Sequence, residues 1–307
     1  MSVLVFGGNG QVGQELLRAL AGQGPVVATT RSGQLPDGSA CERADFDQPQ
    51  TLVALLDRLR PSAVVNAAAY TAVDRAEQDA EAAHRANAES PAAIAAWCAA
   101  HGVPFVHYST DYVFDGRLRR AYLPDDPTAP VCVYGQSKLA GEQKIRAAGG
   151  RHFIFRTAWV YAAHGHNFLR TMLRLAAEVD EIRVVSDQIG TPTPAALIAE
   201  VTARVAQQTH MRSGTWHLTA SGETSWYGFA EYIFATALEL GMIRKAPRLI
   251  PIATADYPTP APRPPYSRLD TTSLTNDWGI ALPAWQHGVE AVLRSIQGGA
   301  SAVAARR

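Results

Sequence analysis

Tyr134 and Lys138 stand four residues apart in the stretch Tyr134-Gly135-Gln136-Ser137-Lys138. The stretch is compatible with a helix, so a phenol and an ammonium share one face. A free tyrosine titrates near pH ~10. A lysine charge beside it favours the phenolate and draws that value toward neutrality, which would let the pair trade protons with a carbonyl or hydroxyl. The same spacing also occurs on solvated helix faces, so the pair means little alone. Thr110 and Asp111 add to it, because they follow the apolar run Pro104 to Tyr108 and polar residues at the carboxyl end of a strand sit where open α/β sheets bind ligands. Thr110 can donate a hydrogen bond to a substrate oxygen and Asp111 can accept one, although both residue types are also ordinary turn formers.

The elements that must position these groups begin at the N-terminus. Val3 to Phe6 is a short apolar run, Gly7-Gly8-Asn9-Gly10-Gln11-Val12-Gly13 is glycine-rich, and Glu15 to Leu20 is helical in character. Strand, glycine loop and helix in that order make a phosphate cradle. Gly7, Gly10 and Gly13 permit a tight turn, a close backbone approach and close helix packing, and a pyrophosphate meets the helix N-terminus near Gln11 and Val12. The spacing is G-x-x-G-x-x-G, not the commoner G-x-G-x-x-G. The second strand, Pro25 to Thr30, ends in Arg31. An acid at that place suits the ribose hydroxyls of NAD and an arginine suits the 2′-phosphate of NADP, so Arg31 points to NADPH, with NADH still possible and a plain solvated loop charge as the alternative. Asp45 and Phe46 follow a further short strand, where they would flank an adenine. After Ala63 to Asn66, a buried parallel strand, the small residues Ala67, Ala68 and Ala69 let a cofactor lie against the backbone or simply permit close packing.

Helical patterns over Asp74 to Asn87 and Pro91 to Ala100, the Tyr134 helix and the strand His152 to Thr157 continue the alternation, which indicates a doubly wound parallel sheet of Rossmann type. Residues 1–165 form the expected dinucleotide-binding domain. Residues 166–298 read as a smaller α+β substrate-binding domain, with some segments returning to the first, and 299–307 read as a flexible tail. The last helix is expected near Trp285 to Ile296. Tyr257 to Arg268 is too rich in proline for regular structure; a long ordered loop of this kind is usually functional or a linker, and here it would carry Arg263 and Arg268 to an anionic ligand, or leave them as solvated charge.

Twenty-eight basic residues balance twenty-eight acidic ones in 307 residues, which argues against a general nucleic-acid or acidic-membrane partner. Cys41, Cys98 and Cys132 are scattered, without metal-ligand spacing, and suit reduced thiols in a cytoplasm. No apolar run approaches the ~18 residues of a membrane span, and no signal-peptide pattern opens the chain.

The glycine loop, Thr110 and the Tyr134/Lys138 pair, in this order on a βαβ chain, resemble an extended short-chain dehydrogenase/reductase. Asn66 to Asp74, Tyr108 to Phe114, Tyr134 to Glu142, Phe155 to Tyr161, Asp187 to Pro192, and Tyr257 to Pro260 with Ser267 to Leu269 resemble, more closely, the dTDP-4-dehydrorhamnose reductase family, and the likeness runs to about Ile296. The resemblance implies reduction of the C4 ketone of a dTDP-sugar by NADPH or NADH, with Tyr134 as proton donor, Lys138 holding the nicotinamide ribose and tuning Tyr134, and Thr110 orienting the ketone. It places Asp111 and Trp159 against the sugar, and Arg263 and Arg268 toward the nucleotide. Some family members form a dimer around Mg2+; here Glu15 and Glu200 are the candidate ligands, but Ala196 stands where a further acid is expected, so the chain is read as monomer or homodimer with the metal in doubt. A 4,6-dehydratase would need a Glu after the acid, where this chain has Tyr112. Reduction or epimerisation of another nucleotide-ketosugar, and a non-catalytic NADP-binding regulatory subunit, are the competing readings.

Overall fold

A computed structural model of the chain describes residues 2–206 and 212–304. Its centre is a parallel sheet built from β1 (Val3–Phe6), β2 (Val26–Thr30), β3 (Glu42–Arg43), β4 (Ala63–Asn66), β5 (Phe105–Thr110) and β6 (His152–Thr157). Four short strands follow outside it, β7 (Val160–Tyr161), β8 (Glu181–Val185), β9 (Ile189–Gly190) and β10 (Thr193–Pro194), and then β11 (Gly214–His217) returns to the sheet's edge. The strand order is β11-β6-β5-β4-β1-β2-β3. Strand order reverses beside β1, so the crevice between the carboxyl ends of β1 and β4 is the place where such sheets take ligands.

The central strands β1, β4, β5 and β6 are buried on both faces because helices cover both, whereas β3, Glu42-Arg43, lies at the sheet's open edge. Val5, Val65 and Val106 face one buried cluster, whereas Leu4, Phe6, Val64 and Phe105 face the other; successive side chains of a strand point to opposite sides. On the second face lie α2 (Pro49–Leu59), α5 (Ser90–His101) and α6 (Val133–Ala147); α1 (Gln11–Leu20), α8 (Ala195–Ala206) and, further out, α9 (Trp226–Glu239) contribute to the first. The smaller layer comprises α7 (Phe168–Ala176), α9 and the parallel pair of β8 with β13 (Arg248–Ile252), while β12 (Thr224–Ser225) pairs with β9.

Three local outcomes depart from the sequence expectation. The helix expected over Asp74 to Asn87 is broken into α3 (Val73–Ala76), α4 (Ala80–His84) and one π-helical turn, Arg85–Glu89. β13 has no alternating pattern, and its Pro251 conceals it. After α10 (Thr272–Trp278), the last helix, α11 (Trp285–Ala304), continues past Ile296 through the expected tail; residues 305–307 lie outside the described residues. Trp285, Val289, Val292 and Leu293 seat α11 on the core at helical spacing.

Candidate active site

A cleft of about 950 Å³ runs along the carboxyl ends of the central strands. At one arm the chain leaves β1 through Gly7, whose φ is +80° and whose absent Cβ would lie 2.7 Å from the Ala68 amide nitrogen. Only glycine fits a left-handed turn pressed on a neighbouring backbone. Gly13 is a packing position: a Cβ there would lie 2.0 Å from the Gly7 carbonyl oxygen. Gly10 caps α1 without a side-chain hydrogen bond, and the helix has no acid in its first turn. Its opening amides therefore offer an uncompensated anion site. Gly7, Gly10, Gln11, Val12, Arg31, Phe46 and Ala67 to Ala69 line this arm; Gly13 and Asp45 do not. The Gln11 side chain accepts a hydrogen bond from Asn167 at 2.8 Å, which ties the start of α1 to the segment before α7.

Arg31 lies between two carboxylates, 3.3 Å from Asp45 and 3.1 Å from Asp47. The arginine is thus one member of a charge cluster at the end of β2. Asp45 reaches the cleft only through Arg31.

At the other arm β5 delivers Thr110 and Asp111, and α6 delivers Tyr134 and Lys138. Thr110 Oγ1 donates to Asp111 Oδ1 at 2.9 Å and accepts from the Tyr112 amide at 3.2 Å. Burial pushes the Asp111 carboxyl up to about 6, against hydrogen bonding from Ser267 and Thr110. Burial also draws the Lys138 ammonium down to about 8, with the Glu142 charge opposing it. Tyr134 differs from the sequence expectation. Its phenol is pushed up, first by burial and then by the charge of Asp111, with Thr110 opposing. Lys138 does not bring it toward neutrality, because its Nζ turns away to the Tyr108 carbonyl, 2.6 Å off, and to His107. In this arrangement Tyr134 is an acid that holds its proton.

Trp159 closes the far end. Its φ is +48°, and its indole stacks on Trp226 with ring centroids 3.6 Å apart and planes 9° from parallel. A Cβ on Gly190 would meet the Trp159 ring at 2.6 Å, so the stack needs glycine there.

Residues 1–297 match the family model described as RmlD substrate binding domain. The dTDP-4-dehydrorhamnose reductase of Burkholderia thailandensis is 46% identical over 306 residues, which is 96% of this chain and 99% of that protein. The chain belongs to the dTDP-4-dehydrorhamnose reductase family. Two solved structures of family members are similar over nearly the whole chain. That from Clostridium acetobutylicum is 34% identical, with a TM-score of 0.88, over 97% of this chain and 100% of that one. The Bacillus anthracis reductase, in complex with NADP, is 31% identical with a TM-score of 0.87, over 96% of this chain and 99% of its own.

Within this dTDP-4-dehydrorhamnose reductase frame, Thr110, Asp111, Tyr134, Lys138 and Trp159 come together in the cleft. Arg263 and Arg268 do not line it. Arg263 pairs with Asp74 at 2.9 Å and lies over the Tyr112 ring, and Arg268 pairs with Glu223 at 3.2 Å. Instead, the proline-rich loop brings Ser267 beside Asp111, held by the Ser267 amide's hydrogen bond to the Ile189 carbonyl at 2.8 Å. Among the described residues no group of three His, Cys, Asp or Glu side chains is placed to hold a metal. The Glu15 carboxylate is engaged by Arg18 at 2.6 Å and His164 at 2.8 Å, while Glu200 is exposed on α8.

Sequence reasoning missed Trp226 and Asn87. Trp226 lies 67 positions from its stacking partner, so no local pattern marks it. Asn87 sits on the π-helical turn, fully buried. It accepts from the Tyr70 amide at 2.9 Å and donates to the Tyr70 carbonyl and to Ser137 Oγ, both at 3.0 Å. One side chain thus joins the segment after β4 to the helix that carries Tyr134. The available signal was the Asn at the end of the expected helix, four residues before Pro91.

Proposed function

We propose that this chain reduces the C4 ketone of dTDP-4-dehydro-β-L-rhamnose to dTDP-β-L-rhamnose, using NADPH. The observation that carries the reading is the convergence of Thr110, Asp111, Tyr134 and Lys138 on one cleft whose other arm is a glycine turn opening a helix. The B. anthracis family member is in complex with NADP, and the residues present here fit such a group. Gly10 presents no side chain to the cleft, the amides at the start of α1 would receive phosphate, and Ala67 to Ala69 present small side chains to the cleft. When bound, the nicotinamide supplies hydride to C4.

The chain's own residues supply the rest. Negative charge develops on one oxygen, and donors fixed before the reaction stabilise it most in the transition state. Tyr134 gives its proton to that oxygen. Because burial keeps the phenol protonated, the acid is loaded when the ketone arrives. Thr110 has a single hydroxyl proton, now committed to Asp111. It orients the ketone by turning that proton to the substrate, which Asp111 allows when it accepts hydrogen bonds from the sugar or is itself protonated. The indole of Trp159 backs the sugar, and its stack on Trp226 fixes the wall. Lys138, which lines the cleft, would hold the nicotinamide ribose. The described helices include none long and apolar enough to cross a membrane, and the three cysteines are free thiols, which suits a reducing cytoplasm.

The decisive assay follows loss of reduced nicotinamide with enzymatically prepared dTDP-4-dehydro-β-L-rhamnose. Tyr134→Phe should lower turnover at least about 100-fold, as loss of a general acid does, while NADPH binding measured by fluorescence is retained. Equal loss of cofactor affinity would make Tyr134 structural. Wild-type protein that binds NADPH but leaves this ketosugar unreduced would redirect the reading to another nucleotide-ketosugar.

A further inference from the structure

Behind the catalytic pair lies a buried hydrogen-bonded row that the chemistry above does not use. Asn66 ends β4, His107 lies on β5, and Lys138 projects from α6; their exposures are 1%, 1% and 2%. The Ala68 amide donates to Asn66 Oδ1 at 3.0 Å. This orients the amide group, so its nitrogen is the atom turned to His107, with Asn66 Nδ2 3.1 Å from His107 Nδ1. At the other side of the ring, His107 Nε2 lies 3.3 Å from Lys138 Nζ, which also donates to the Tyr108 carbonyl.

The donors and acceptors along this row allow one consistent pattern. An amide nitrogen offers only protons, so His107 Nδ1 must accept and a neutral ring carries its proton on Nε2. The imidazolium is opposed twice. Burial and the Lys138 charge hold His107 well below its ordinary value, and a proton on Nδ1 would face the Asn66 amide protons. The Nε2–H bond therefore points at Lys138 Nζ. An ammonium presents only donors to it, whereas an uncharged amine presents a lone pair.

We propose that His107, with its tautomer set by Asn66, is a positioning residue that stabilises the uncharged amine of Lys138, so that Lys138 releases and regains a proton within the catalytic cycle. The proposal rests on the reductase reading, in which each turnover takes one proton from Tyr134 that must be replaced. The proton that leaves Lys138 ends on the Tyr134 phenolate that the reduction leaves behind, while the N–H bonding pair stays on Nζ and accepts the hydrogen bond from His107, whose own Nε2–H remains intact. A proton from solvent later restores the ammonium. The charged and titratable groups around Nζ act in opposite senses. Glu142, one turn further along α6, favours the ammonium, and Tyr134 lies one turn back. From β5 come His107 and the Tyr108 carbonyl.

Two measurements on the ligand-free protein test this independently of the sugar. Long-range 1H–15N ring correlations, assigned by loss of the signal in His107→Phe or through the backbone, should show a neutral ring protonated on Nε2 from about pH 5.5 to about 8.5. A proton on Nδ1, or an imidazolium titrating in that range, would overturn the proposal. The midpoint of the 13Cε lysine signal that disappears in Lys138→Met should rise by roughly one pH unit in Asn66→Ala, because a freed ring can take its proton on Nδ1 and accept from the ammonium. An unchanged or lower midpoint in folded Asn66→Ala would also overturn it; if that variant does not fold, the wild-type tautomer decides. With substrate, the kcat pH profile of Asn66→Ala should move upward with Lys138 while KM changes little, whereas a uniform loss of kcat at every pH marks a merely structural role and refutes the proposal. Failure of the wild type to turn over the ketosugar would overturn the reductase reading alone, leaving the two spectroscopic results to decide this one.

Discussion

Asp111 is a carboxyl whose burial raises its titration toward neutral pH, and that has a cost which a pH series can read. Its folded value, about 6, is raised above the ordinary 3.8. Its favourable contribution is therefore fully present below pH ~3.8 and is lost as the pH rises through about 6. Asp111→Asn, uncharged throughout, should lack this dependence. Urea denaturation at several pH values should show the variant gaining on the wild type by on the order of 3 kcal/mol between acid and neutral pH, from about 1.4 kcal/mol per pH unit. Arg31 is the second residue whose neighbours change its meaning. A 2′-phosphate must compete with Asp45 and Asp47 for the guanidinium, and the same carboxylates can accept from ribose hydroxyls. Arg31→Ala should weaken NADPH more than NADH, by about 10-fold or less in the ratio of dissociation constants, since exposed ion pairs contribute ~1 kcal/mol. Parallel losses would remove the phosphate role. At this scale the sequence was most legible in placement, since Thr110 at a strand end and Tyr134 and Lys138 four apart on a helix line one cleft, while the expected effect of Lys138 on the phenol is absent. It was least legible for charges, because Arg31, Arg263 and Arg268 reveal their carboxylate partners only after folding.

Between elements, the π-helical turn and α6 behave as one part. Gly141 of α6 has no room for a side chain, since a Cβ would lie 2.1 Å from the Asn87 carbonyl oxygen, so the helix packs there backbone to backbone. Asn87→Ala removes the partner of both Tyr70 backbone groups and of Ser137 at a fully buried place. Stranding buried polar groups costs about 1–3 kcal/mol, and thermal unfolding should register it. Turnover should fall together with stability, because Ser137 also donates to the Tyr134 carbonyl at 2.7 Å. The alternation of strand and helix that defines the first half was visible from periodicity. The broken helix before Ser90 was not, because its alanines suit a continuous helix locally and it is Asn87's contacts to other segments that accompany the wider turn.

For the molecule as a whole, the sheet's far side is closed by a charged pair. Arg156 of β6 meets Glu142 of α6 through two hydrogen bonds, 2.9 and 2.8 Å, gives a third to the Pro124 carbonyl at 2.8 Å, and lies over the Phe114 ring. Both side chains are shielded from solvent, at 3% and 0% exposed. Glu142→Gln leaves the guanidinium buried without its counter-charge and should destabilise the protein by about 3–5 kcal/mol, read from the denaturation midpoint. That some segments beyond residue 165 return to the first domain was expected, but not which ones: β11 enters the main sheet from far along the chain and the proline-rich loop reaches back to Asp111, and such long-range placement leaves no local period. The indoles of Trp159 and Trp226, face to face at 3.6 Å, carry a different consequence. Two chromophores this close share their excited state, so this wall of the cleft is also an optical reporter. Near-ultraviolet circular dichroism or tryptophan emission can follow what enters the cleft without any added label.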